Sequence, residues 1–452
     1  MGRNIKLEKL ITILLYLLIF STPLSLDVLL NGGSLGLTII SEPLCLLIAV
    51  FVFISYIKNI KDIHFNYLDS IVIFHLSALL LASLFSWNSI ISFKYTVIIS
   101  CYIFSTYFGF KLLPKKKIVV ERLSYSYLTG HFILAIYCFF NFIKHGIFYE
   151  TSYIVAQPFI MQGHSNLSIL LEAPTILATV LLLKKNLNKK IKACLLVAVF
   201  VFIAVISFSC SRTSYITLFI TFVVLFFFSL SGDTKRKLLL YVGGPFLLIL
   251  GIWKANDLIH YYQYKDDPSS YYNSESLNYD SNDIRTYKQT NMWDEMLEIS
   301  NTENRAGKSS AERLYRWIKG WELWQESPIT GIGPGTFADR YLEVYKNTSN
   351  EYEKKLAERK MNIHNLYLSW LFEGGILVFI TGLGIVFFII QTGVSLIQVN
   401  APSIEKALAV SFIPFLIHSL VQDYWNEPRI AIPFWLGVAI LNYFSCLEKN
   451  SS

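Results

Sequence analysis

The chain has 452 residues, of which 54% are hydrophobic, 15% aromatic and only 16% charged, well short of the quarter usual in soluble domains. With a mean hydropathy of +0.46, its long uncharged runs exclude a soluble enzyme, a disordered chain and an outer-membrane barrel, whose strands would alternate apolar and polar residues. The net charge of +7 is of a size that would draw nucleic acid. The basic residues, however, stand in short connections between apolar runs, as membrane orientation requires, so no nucleic-acid partner is expected.

Apolar segments long enough to span a bilayer fall near 10–30, 35–57, 67–86, 89–110, 123–143, 165–183, 191–209, 212–230, 238–253, 372–393, 405–422 and 430–446. The first follows Arg3, Lys6 and Lys9, as in a signal peptide, but it is too long and lacks a small-residue cleavage site, so it is read as a retained span. The predicted fold is all-α: a polytopic membrane protein of about 12 transmembrane helices. With the N-terminus inside, the inner connections collect 20 Lys and Arg, among them Lys115, Lys116, Lys117, Lys189 and Lys190. The short outer connections hold few: Lys144, with Arg212 and Arg429 at their edges. The positive-inside rule then divides the chain into spans one to nine (1–253), an outer loop domain (254–362) and spans ten to twelve (363–452).

That loop contains 109 residues and nearly half of the charged side chains. A connection of this length inside a compact protein is expected to be functional. Its part 265–291 is rich in Tyr, Ser, Asn and Asp, and Asp266-Asp267 within it is read as solvated. Further on, Leu314, Trp317, Trp321 and Trp324 recur at helical spacing, and Pro328 with Gly331, Gly333 and Gly335 should end that helix. The loop is expected to lie as helices over the membrane face. The six cysteines lie in or beside apolar runs, and 254–362 contains none, so that loop shows no disulfide framework or zinc pattern.

Ionisable residues within spans are costly and tend to be functional. By span counting Glu42, Lys94, Glu172, Arg212 and His418 fall in the outer half of the bilayer, with His75 and His131 nearer the inner half. Either they form structural pairs, such as Lys94 with a glutamate, or they line a polar cavity open to the outside. Such a cavity suits the phosphates of a lipid-linked substrate.

Three segments carry the chemistry. In Ser207-Phe-Ser-Cys-Ser-Arg212, the arginine opens a span, where helix N–H groups and the guanidinium fork together favour phosphate. The second is Arg313-x3-Trp317, followed by Pro328, Gly331, Gly333 and Gly335. Its glycines are candidates for cradling an anion, but no Gly-Lys-Ser/Thr follows them, so this is not a nucleotide P-loop. The third is His364-Asn365-x9-Gly375, in which a histidine able to take a proton from a hydroxyl stands beside an asparagine able to orient it or to bind sugar.

In their order and spacing, these segments resemble the O-antigen ligase/polymerase superfamily, and its ligase branch in particular. The pattern His, Asn/Ser/Gln, nine residues, Gly is met by His364, Asn365 and Gly375. The Ser-Arg at the outer start of a span is met by Ser211 and Arg212. The Arg-x3-Trp with later Pro and paired Gly is met by Arg313, Trp317, Pro328, Gly331 and Gly333. The resemblance implies a GT-C-type glycosyltransferase of the bacterial inner membrane, working at the periplasmic face without cofactor or metal. The implied donor is a glycan on undecaprenyl diphosphate, and the implied acceptor is lipid A–core. On this reading Arg212, Arg313 and His364 are catalytic, and Asn365, Arg316, Glu172, Glu42, Gly331 and Gly333 contact substrate. The alternative within the superfamily is a polymerase whose acceptor is another lipid-linked repeat. Outside it stands a secondary transporter, which twelve spans would allow but whose site belongs at the midplane on broken helices.

Overall fold

The protein is described by a computed structural model covering residues 5–30, 35–58, 65–114, 116–147, 152–158, 164–184, 187–228, 232–249, 251–252, 254, 305–398 and 403–451. The stretch 265–291, with Asp266 and Asp267, lies outside the described residues.

Nine helices among the described residues are long and apolar enough to cross a membrane: Lys6–Leu24, Ser41–Lys58, Tyr67–Leu84, Ser89–Lys111, Lys116–His145, Ser165–Leu182, Lys189–Phe208, Gly375–Ile397 and Pro428–Leu447. The apolar helix Arg212–Phe228 is shorter, as is Ile404–His418. The outward faces of these helices remain apolar, with Phe74, Ile90, Phe219 and Phe387 each more than 60% exposed. A solvated bundle would place polar side chains there; a lipid-facing one keeps them apolar.

The first two expected spans are shorter than the sequence reading. Helix Ile5–Ser21 passes into a 3-10 turn at Thr22–Leu24, where Pro23 cannot continue the backbone ladder. The apolar residues that follow form an antiparallel hairpin, Asp27–Leu30 with Leu35–Thr38, in which Asp27 pairs with Thr38. The class is all-α as expected, with this hairpin as a local exception among the described residues. A short run of Val and Leu reads equally well as the end of a span or as a strand, and here it pairs as a strand.

Inside the bundle, Ile404–His418 packs against His164–Leu182, Arg212–Phe228 and Gly375–Ile397. The 165–182 window is the most enclosed of the spans, at 83% buried. Polar groups on these helices thus face protein and meet partners on neighbouring elements.

At one end of the bundle lies a small helical layer: Arg305–Trp324, Phe337–Tyr345, Glu351–Glu358 and Leu366–Phe372. It has its own core, in which Leu323, Phe337, Tyr341, Leu356, Ile363 and Phe372 are buried. The expected amphipathic stripe is split. Trp317 and Trp324 pack on this core, while Leu314, Ile318 and Trp321 stay exposed along its flank, Trp321 still meeting Trp324 and Phe372 by its ring.

Candidate functional site

Two glycine-bearing motifs interlock to seat the small layer on the bundle. Gly331 (φ +69°) and Gly375 (φ +73°) face each other so closely that a Cβ on either would lie 2.6 Å from the other's backbone nitrogen. Both conformations favour glycine. The Ile332 N–H donates to the Phe372 carbonyl, Gly333 N–H to the Glu373 carbonyl, and Trp87 N–H to the Ile332 carbonyl. The Glu373 carboxylate accepts the N–H groups of Gly335 and Phe337, at 3.0 and 2.9 Å. The Gly331 N–H donates to the Ser327 carbonyl. The amides of Gly331 and Gly333 are therefore engaged with protein. This corrects the expectation of an anion cradle: the glycines serve close backbone approach between three segments.

The same junction sets the entry to His364. The Trp317 indole N–H donates to the Ile363 carbonyl at 2.9 Å, and Arg316 donates to the carbonyls of Glu312 and Asn362. Asn365 caps the next helix by accepting the Leu368 N–H at 3.0 Å, and its amide N–H bonds the Leu420 carbonyl at 2.9 Å. Arg316 and Asn365 thus hold backbone in place, a different task from the substrate contact expected of them. Between them His364 sits at φ +53°, a left-handed conformation uncommon outside glycine and worth functional attention. Its Nδ1 lies 2.6 Å from Oε1 of Gln422.

The electrostatics here are strongly positive. Burial, followed by the charge of Arg316 and with Arg313 and Arg359 adding to it, pushes the His364 imidazole down to about 4. Arg359 is paired with Glu312 at 2.8 Å, and burial pushes Arg316 down to about 10. Arg313, also lowered by burial, donates no hydrogen bond to protein among the described residues. Among the described residues, its guanidinium is the one in this group with no protein acceptor.

Deeper in the bundle, the Glu172 carboxylate accepts Thr217 Oγ1 at 2.6 Å and meets His418 Nε2 at 2.8 Å. Ser214 Oγ reaches His418 at 3.4 Å and Ser211 Oγ at 3.1 Å. Both Glu172 and His418 are fully buried. Tyr424 lies within electrostatic reach of both Glu172 and Arg313, linking the buried pair to the arginine group. Arg212, partly exposed, opens the helix that carries Ser214 and Thr217, two residues after Cys210 at φ +54°.

Glu42 belongs to a neighbouring cluster. It accepts the Thr38 N–H at 2.9 Å and the Tyr102 hydroxyl at 3.2 Å. Arg429 ties Asp27, Glu427 and the Ser25 carbonyl together nearby, at 2.6, 2.7 and 2.7 Å. Lys94 is exposed and forms no ion pair among the described residues, so the pairing considered for it is not made there.

Residues 196–383 match the family model described as O-antigen ligase. The matched segment is 188 of the 452 residues, and it supports a likeness to the O-antigen ligase/polymerase superfamily. No curated protein matches it. The superfamily segment contains Arg212, Arg313, Arg316, Gly331, Gly333, His364, Asn365 and Gly375, and it ends before the connection 419–427 that completes the His364 surroundings. Gln422, Tyr424 and Arg359 were not picked out from the sequence. A usable sign was present, because Gln422-Asp-Tyr-Trp-Asn-Glu427 is a dense polar run between two apolar spans, and such a connection has little reason to be so polar without partners.

Proposed function

We propose that this protein belongs to that superfamily and is a membrane glycosyltransferase that moves a glycan from undecaprenyl diphosphate to a sugar hydroxyl of lipid A–core. We read the fold as twelve GT-C-type spans in the bacterial inner membrane, with the site at the periplasmic face. The observation that carries the reading is the meeting, at one end of the bundle, of a partly exposed imidazole held neutral by burial with the nearby arginines Arg316, Arg313 and Arg359. Glycan transfer needs both features. His364 takes the proton of the acceptor hydroxyl as its oxygen bonds the anomeric carbon. The bond from that carbon to the diphosphate oxygen breaks, and the lipid diphosphate leaves with the electron pair. Arg313 and Arg212, the latter helped by its helix N-terminus, balance the charge that develops on the leaving group. Arg316, Trp317 and Asn365 hold His364 in place. Glu172, enclosed with His418, supports the helix that presents Arg212.

The test is transfer in vitro, using purified protein, a lipid-diphosphate glycan and core acceptor, without ATP or added divalent metal. Glycosylated core is the expected product. Elongated lipid-linked glycan with untouched core would replace the ligase assignment with the polymerase one, and no transfer to either acceptor would overturn the reading.

A further inference from the structure

We propose that Gln422 is a positioning residue for His364: its side-chain carbonyl accepts the Nδ1–H and fixes the neutral ring in the tautomer whose Nε2 lone pair receives the acceptor's proton. The proposal rests on the reading of His364 as the base.

The two segments are joined at three successive points. Leu366 N–H donates to the Ser419 carbonyl at 2.9 Å, Asn365 Nδ2 to the Leu420 carbonyl at 2.9 Å, and Gln422 Oε1 meets His364 Nδ1 at 2.6 Å. Gln422 is itself fixed, because its N–H and that of Val421 both donate to the His418 carbonyl. On the other side, the Asn362 side chain accepts the His364 N–H at 3.1 Å, and Trp317 holds the Ile363 carbonyl. The backbone that carries the ring is thus held on both flanks, and Gln422 engages the ring itself. An amide oxygen is a hydrogen-bond acceptor, so the nitrogen facing it must carry the proton, and the remaining nitrogen is left with its lone pair.

The choice of an amide over a carboxylate follows from the charges around the ring. Arg313, Arg316 and Arg359 face it from the small helical layer, with Glu312 taken up by Arg359. Asp423, next to Gln422, accepts the Trp425 N–H instead. A carboxylate at position 422 would stabilise the imidazolium, which cannot accept a proton, and would compete with the donor diphosphate for the arginines. A neutral acceptor orients the ring and does neither.

The experiment compares wild type, Gln422→Ala, Gln422→Glu and His364→Ala in the transfer assay across pH, with donor KM and kcat measured separately. In wild type, the acid limb should lie near the low value set for His364, about 4. Gln422→Ala should lower kcat by about tenfold, the rate equivalent of one orienting hydrogen bond, with donor KM little changed. Gln422→Glu, nearly isosteric, should move the acid limb upward by about one to three pH units, the effect of an adjacent opposite charge, and recover activity above it. A residue that merely anchored the turn would not move that limb. Adding Gln422→Ala to His364→Ala should cost nothing further. An unmoved acid limb in Gln422→Glu, or no recovery at any pH, overturns the proposal; the base reading stands if His364→Ala is inactive. Near-normal transfer by His364→Ala overturns the base reading itself. Should Gln422→Ala fail to fold, the Glu variant decides alone.

Discussion

Gly333→Ala is the substitution that best tests whether the glycine loop is a mechanical junction or an anion site. Gly333 has φ +116°, and an added Cβ would lie 1.9 Å from Ser86 Oγ and 2.5 Å from Ser86 Cβ. Ser86 cannot simply turn away. Its hydroxyl is shared with Ser92 at 2.7 Å and accepts the Asn88 N–H at 3.0 Å, at the turn into helix Ser89–Tyr102. Unfavourable backbone costs about 1–2 kcal/mol, overpacking about 1–3 kcal/mol, and each hydrogen bond lost as the loop shifts about 1 kcal/mol. A total near 4 kcal/mol follows, enough to loosen the small layer from the bundle. Thermal unfolding in detergent, followed by tryptophan fluorescence, should show the midpoint several degrees lower. In a Ser86→Gly background the penalty of Gly333→Ala should shrink, because the two closest clashing atoms are gone and only Ser92 Oγ, at 2.7 Å, remains; the double-mutant cycle isolates that coupling. An unchanged midpoint in Gly333→Ala, or equal penalties in both backgrounds, would refute the junction argument.

Arg313→Ala should cut transfer by about 10²–10³, as when a charge-assisted contact to a developing anion is removed; lysine should rescue poorly because it lacks the planar fork. Near-normal transfer would take Arg313 out of the diphosphate site. Cysteine introduced at the exposed Ser349 should react with an impermeant thiol reagent in intact spheroplasts, whereas labelling only after lysis would reverse the proposed orientation.

The sequence was most legible where chain composition and physics coincide. Long apolar runs became helices, the Arg313-x3-Trp317 spacing became one helix face toward Ile363, and glycines following Pro328 marked a break. What could not be read was the partner of each polar group. Glu172 and His418 stand 246 positions apart, and His364 and Gln422 stand 58 apart, so no local pattern joins them. Roles were misassigned for the same reason. Asn365 beside a histidine looks like a sugar ligand until its helix cap and its bond to Leu420 are seen. Gly331 and Gly333 look like an anion loop until Glu373 and Ser327 are found on their amides. The hairpin at Asp27–Thr38 was hidden because short apolar runs do not declare a period.

The most direct measurement of the central claim is transfer by His364→Gln. Glutamine keeps a similar size and some hydrogen bonding but cannot take a proton at neutral pH. If His364 is the base, the variant should bind donor as wild type does yet transfer with a loss of about 10²–10⁴, like alanine at the same position. Transfer close to the wild-type rate would contradict the account, leaving His364 as a residue that only positions substrate.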